Sequence, residues 1–271
     1  KAVPFSLGRQ KYKQGTRDVA IYMDRGRSDR RLEIKDFNKW IHSDRPETKI
    51  NINEKNYDFY YTKKIKIPVN KTNIDTTTNL VIDTLELNVN TNQLEKKDIM
   101  ILDLIETNNW ERPIYFAITI GSSGRSFLYL DKFFRLDGMV YKLMPFDYSS
   151  TINELDIGGI DTEILYTKLI EEYKWGNLNK NIYLDETNLR MTMNFRNNFS
   201  RLAEALIKEK KYSKAEHVLD FCMDIMPNHQ VPLNYFVHPI VKSYYIIGSS
   251  KKAENIVDLL YEKYSSELNY Y

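Results

Sequence analysis

Through the first 150 residues, apolar and polar positions alternate with two different periods. Lys64–Val69 places Ile65, Ile67 and Val69 two apart, and Leu80–Val89 repeats the pattern through Leu85, Leu87 and Val89. Both predict half-buried strands. Asp18–Met23, Tyr57–Tyr61 and Met139–Leu143 are further strand-sized apolar runs, and Pro113–Ile120 predicts a buried strand. Ile34–Ile41 instead spaces Ile34, Phe37, Trp40 and Ile41 along one face of a short helix. Lys97–Thr107 is apolar almost all round, which predicts a deeply buried helix closed by Asn108–Asn109. Phe127–Phe134 predicts another short helix, and Asn70–Asn79 a Thr/Asn-rich turn. Helices between apolar strands predict a mixed α/β or α+β part over residues 1–150.

Beyond residue 150 the period becomes helical. Asp161 is placed to cap a helix over Thr162–Tyr173, ended by Trp175-Gly176, and Asp185 to cap a long helix running towards Lys210. Residues 151–190 are expected to connect the mixed part to helical repeats over residues 191–271. Phe199–Pro227 has the pattern of one tetratricopeptide-type hairpin. Ala203, Ala215 and Cys222 sit where two helices approach closely, Phe199, Leu202, Leu206 and Leu219 fill the space between, and Pro227 stops the second helix. Val237–Ile247 and Lys251–Ser265 predict a second hairpin, in which Ala253 follows Ala215 by 38 residues. That exceeds the usual repeat of about 34, so the connection near His229–Asn234 is expected to be longer. Two hairpins make a short solenoid, which needs the preceding helices as caps.

Charge changes this picture little. The 39 Lys and Arg nearly balance 37 Asp and Glu, so no overall field calls for nucleic acid. Lys1–Lys35 is locally basic, with ten cationic against four acidic residues. Arg25, Arg27, Arg30 and Arg31 are its densest part, either an anionic-surface contact such as lipid headgroups or a solvated, salt-bridged loop. A single cysteine, Cys222, excludes an internal disulfide framework and is expected to be a buried structural thiol. No apolar run reaches the roughly 18–20 residues of a membrane span. The chain begins at Lys1 without methionine, which is expected of a region excised from something longer.

Candidate chemistry is sparse. Gly121–Ser126 (GSSGRS) is either a phosphate-cradling loop or an ordinary turn, and it lacks the spacing of known nucleotide loops. Asp103 and Glu106 share a helix face, as an acid–base pair or as partners of a nearby cation such as Arg112. His42, His217, His229 and His238 form no metal-binding spacing. No catalytic, metal or cofactor residue is therefore expected. Tyr235, Tyr244, Tyr245, Tyr261 and Tyr264 crowd the second hairpin, as core or as a candidate partner surface.

Four segments carry a resemblance: PFSLGRQKYKQGTRD (Pro4–Asp18), LDLIETNNWERPIYFAITIG (Leu102–Gly121), GGIDTEILYTKLIEEYKWG (Gly158–Gly176) and LDETNLRMTMNFRNNFSRLAEALI (Leu184–Ile207). They resemble the C-terminal soluble region of a bacterial family of multi-spanning membrane proteins, itself similar to protein O-mannosyltransferases that use lipid-linked sugars. The resemblance implies an extracytoplasmic domain with tetratricopeptide-like helices, held on the periplasmic side of the bacterial inner membrane. It carries over no catalytic residue, because the acidic catalytic residue of such transferases lies between early membrane helices. The implied partners are the membrane domain of the same polypeptide, a protein acceptor or another envelope protein, and lipid headgroups. The expected function is a non-catalytic accessory domain that positions an acceptor; the alternative is an envelope assembly module unrelated to glycosylation. Within the resemblance, Asn108–Pro113 is expected to be a structural signature in which Pro113 opens a strand, Trp110 packs and Arg112 pairs with a carboxylate.

Overall fold

The computed structural model describes residues 18–74, 81–120, 129–152 and 156–270. Its chain divides into two compact units, Lys1–Arg135 with Tyr141–Gly159, and Leu136–Val140 with Ile160–Tyr271. Residues 151–190, expected as a connector, fall on both sides of that division.

The first unit is built on small sheets. β1 (Asp18–Tyr22) pairs in parallel with β4 (Lys55–Tyr60), which also pairs antiparallel with β3 (Lys49–Ile52). On its other side β1 meets β7 (Gln93–Glu95), giving the order β3-β4-β1-β7. β3 and β4 are joined by Asn53 and Glu54, both at positive φ (48° and 64°), the left-handed pair that a two-residue hairpin turn requires. A second sheet has the order β2-β5-β6, from β2 (Leu32–Glu33), β5 (Lys64–Pro68) and β6 (Thr84–Asn88). Its register sets Ile65 opposite Leu87 and Ile67 opposite Leu85, and all four are buried. The predicted alternation is thus one face of an antiparallel pair.

Two helices of this unit pack on each other. α1 (Ile34–Ile41) buries Ile34, Phe37 and Ile41. Its Trp40 indole donates to the Phe59 carbonyl at 2.8 Å and stands edge-on to Tyr61. α2 (Lys96–Asn108) starts with a reciprocal capping box between Glu95 and Asp98 and ends at Asn109 in the left-handed conformation.

The strand expected over Pro113–Ile120 is shorter than the sequence predicts. β8 covers only Tyr115–Ala117, half of Tyr115 is exposed, and a 3-10 turn follows at Ile118–Ile120. Pro113 lies two residues before the strand and does not open it. Of the helix expected over Phe127–Phe134, the described part is a 3-10 turn at Asp131–Phe133, after which Phe134 enters β9 (Phe134–Asp137). β9 and β10 (Val140–Leu143) turn at Gly138, in a sheet of order β8-β10-β9.

The second unit is mainly helical. Asp161 caps α3 (Thr162–Tyr166), accepting from the Ile164 amide at 3.0 Å. The helix does not continue in α form to Tyr173: Thr167–Glu172 widens into a π-helix, closed where the Tyr173 amide reaches the Lys168 carbonyl five residues back. Asp185 caps α4 (Glu186–Lys208), which pairs with α5 (Tyr212–Ile225). Ala203, Ala215 and Cys222 are fully buried in these helices, with Phe199, Leu202, Leu206, Val218 and Leu219 around them. α6 (His238–Ile246) and α7 (Ser250–Tyr270) form the second hairpin, with Ala253 fully buried. The chain is therefore mixed α and β at its start and helical at its end. No helix among the described residues is long and apolar enough to cross a membrane.

Candidate functional site

A groove of about 600 Å³ runs along α6 and α7, lined by Val241, Tyr245, Ile246, Val257, Tyr261 and Tyr264 among others. Helical spacing explains it. Ile240, Tyr244, Ala253, Ile256 and Leu260 turn inward and are buried, leaving their helical neighbours outward. The groove lining is mostly apolar, with His238 and Lys242 as its polar members: Tyr245 is 46%, Val257 40% and Tyr261 72% exposed.

The sequence-predicted tyrosines therefore divide. Tyr245, Tyr261 and Tyr264 share the groove, whereas Tyr235 packs at a tilt against Phe236 outside its lining. Tyr244 does not belong to a partner surface. It is 2% exposed, and its hydroxyl donates to Asp220 at 2.9 Å. Burial, then this hydrogen bond, hold its hydroxyl pKa well above the ordinary tyrosine value. Lys252 joins the same cluster, donating to Glu216 and Asp220 at 2.8 and 2.7 Å.

The Arg25–Arg31 segment also divides. Arg25 and Arg27 are exposed, and the Arg25 guanidinium lies 4.5 Å from the Phe59 ring centre. Arg30 is exposed too, but its carbonyl accepts from Thr62. Arg31 is drawn inward to Glu86 at 3.3 Å, part of the salt-bridged arrangement. Gly121–Ser126 lies outside the described residues. Glu106 accepts from Asn38 at 2.6 Å, while Asp103 is fully buried and within reach of the Thr107 hydroxyl.

Sequence reasoning singled out Asn108–Pro113 only as a structural signature. In the structure it forms the wall of a second, smaller cleft of about 190 Å³ within the first unit. Asn109 and Trp110 are both left-handed (φ 42° and 63°), and the Trp110 indole is pinned by donating to the Pro68 carbonyl at 2.8 Å. Ile114, just before β8, lines it together with Lys142 of β10 and Pro145 after it. Among the described residues, no group of three or more His, Cys, Asp or Glu side chains is placed to hold a metal ion.

The model of a known family matches residues 1–164. The chain belongs to the TMEM260-associated domain 2 family. This ties it to a membrane-protein family, as an accessory domain. The match takes in the whole first unit, with its cleft, and stops inside α3; the groove of the second unit lies beyond it. No curated protein matches the chain, and no solved structure matches it.

Two polar side chains of the Leu184–Ile207 block have structural roles that the sequence did not disclose. Arg196 is fully buried in the second unit and donates to three carbonyls: Pro232 at 2.9 Å, Met226 at 2.7 Å and Val231 at 2.5 Å. It thereby organises the long connection between α5 and α6. Burial lowers its pKa from the ordinary arginine value. Asn198 is also buried and donates to the Gly138 carbonyl at 2.9 Å. Cys222 is a buried thiol with its pKa pushed up to about 12 by burial. At neutral pH it is protonated and a poor nucleophile.

Proposed function

We propose that this chain is a non-catalytic accessory region of a membrane glycosyltransferase-like protein, placed on the periplasmic side of a bacterial inner membrane. In this reading the second unit is a short tetratricopeptide-like array, and its α6/α7 groove holds a segment of the acceptor protein. The observation that carries the reading is the outward apolar lining of that groove, with Tyr245 and Tyr261 standing well into solvent beside Val257. Fixed aromatic rings give large contact area at low entropic cost, which suits a protein segment apolar on one side. Holding an acceptor near a membrane active site raises its effective concentration without any chemistry in this chain.

The test is sugar transfer to a protein acceptor by the full-length membrane protein, with Tyr261→Glu and Val257→Glu introduced together. Both positions are exposed, so the fold should persist by circular dichroism. Transfer to protein should fall by about tenfold, as expected when an apolar contact surface takes up two charges. Unchanged transfer would overturn the reading. Unchanged transfer with loss of a co-purifying envelope protein would support an assembly module unrelated to glycosylation.

A further inference from the structure

The surface along α6 and α7 is patterned beyond the lining of the groove. On α7, Val257, Tyr261, Tyr264 and Leu268 follow one another at intervals of four, three and four residues. Helical periodicity sets them within about 60° of arc on one face. Their spacing is that of the a and d positions of a coiled-coil seam. The seam adjoins the buried face of Ala253, Ile256 and Leu260 but shares no residue with it. It is open to solvent, with Tyr261 72% and Leu268 77% exposed. Apolar residues at this spacing are matched by a second helical surface.

Charge borders this face with opposite signs on its two sides. On α6, His238 and Lys242 stand one turn apart in the groove lining, and that helix has no acidic residue. On α7, Glu254, Asp258 and Glu262 recur at every fourth position along the strip beyond the seam, with Lys251 at its start, and all four are exposed. Neither Lys242 nor any of these three carboxylates has an ion-pair partner among the described residues. The two rims select the occupant. An anionic lipid surface would meet the acidic row and be repelled, and a small apolar molecule would use neither rim. A second copy of the chain uses both. Turned about a twofold axis parallel to the helices, it lays seam on seam and sets each α6 against an antiparallel α7. The cationic rim of each copy then faces the acidic rim of the other, the self-complementarity that an isologous interface requires.

We propose that two copies of this chain associate through the α6/α7 face, apolar seam on apolar seam, with Lys242 of each opposite the acidic row of the other. The groove is covered in that dimer, so an acceptor segment competes with the second copy for it. The test is sedimentation velocity on the 271-residue chain, from about 1 to about 200 µM, a range that brackets micromolar association. The chain should pass from monomer to dimer across it. Lys242→Glu should weaken the dimer by about tenfold or more, because it sets like charges on facing rims. The acidic row reversed by Glu254→Lys, Asp258→Lys and Glu262→Lys together should do the same. Mixed in equal amounts, the two variants should form a heterodimer about as stable as the parent dimer, since their rims are again of opposite sign. Circular dichroism checks that both keep their helices. If the triple variant does not fold, Glu254→Lys with Asp258→Lys replaces it in the mixture. A parent chain that stays monomeric at the top of the range would overturn the proposal, as would a dimer that neither reversal weakens or a mixture that stays monomeric. The acceptor reading is judged separately, by sugar transfer in the full-length protein, so either can fail without the other.

Discussion

Arg196 shows how far one side chain can set local structure. Its guanidinium replaces water as the donor to three carbonyls of the α5–α6 connection, a segment in which the Gln230 and Val231 amides both turn to the Pro227 carbonyl. An apolar substitute of similar length would strand these acceptors away from solvent. Arg196→Met is therefore expected to destabilise the second unit by about 3 kcal/mol, measured by urea unfolding followed by circular dichroism. A loss under about 1 kcal/mol would mean that water enters and satisfies the carbonyls. Nothing in a single sequence marks this arginine. It sits among Arg190, Arg201 and Asn197 in a polar stretch of helix, and its acceptors lie 30 to 36 residues away. Tyr244 and Tyr245 pose the same problem. They are adjacent in sequence but about 100° apart around α6, so one became core and the other groove.

At the scale of elements, legibility followed period and turn chemistry. The alternation of Ile65 with Ile67, and of Leu85 with Leu87, was visible because both strands bury one face only. β3 was not visible. Its four residues are half-buried or exposed, and its turn uses Asn53-Glu54 without the glycine that usually announces a two-residue hairpin. The π-helical stretch after α3 had no sequence signal at all, since its apolar spacing fits an α-helix equally well. The Trp110 cleft was hidden for another reason: its walls come from residues near 73, 108–114 and 142–145, joined only by the fold. Glycines at the turns offer a direct test of close packing. Gly138 and Gly176 share a positive φ (72° and 62°), but a Cβ at Gly138 would lie 2.1 Å from the Tyr173 hydroxyl, while one at Gly176 meets nothing within 4 Å. Gly138→Ala should cost about 2–4 kcal/mol, and Gly176→Ala about 1 kcal/mol, from conformational strain alone. Equal losses in thermal melts would show that Tyr173 simply swings aside.

At the scale of the whole molecule, carboxylates held below their ordinary range lie in both units, Asp147 in the first and Glu163, Asp185 and Glu216 in the helical second. Glu163 is the clearest. Hydrogen bonds from Lys211 and Lys214, at 2.8 Å each, draw its pKa from 4.5 down to about 2. Asp185 is lowered by the Asn188 amide that it caps, and Glu216 by Lys252. Each of these groups binds protons less readily folded than unfolded. Their contribution is therefore complete above the unfolded value near 4.5 and is lost as pH falls from there towards about 2. Helical signal at fixed urea should stay level down to about pH 5 and decline below about 4.5. Glu163→Gln should flatten that decline without changing its direction, because Asp185 and Glu216 still titrate. The pairs are solvent-exposed, so salt near 1 M, with a screening length of about 3 Å, should shrink the difference between Glu163→Gln and the parent chain. A Glu163→Gln profile that overlays the parent between pH 2 and 4.5 at low salt would show that the lysine contacts do not hold in solution. The acid sensitivity of this unit would then have to come from the other lowered carboxylates, Asp185 and Glu216.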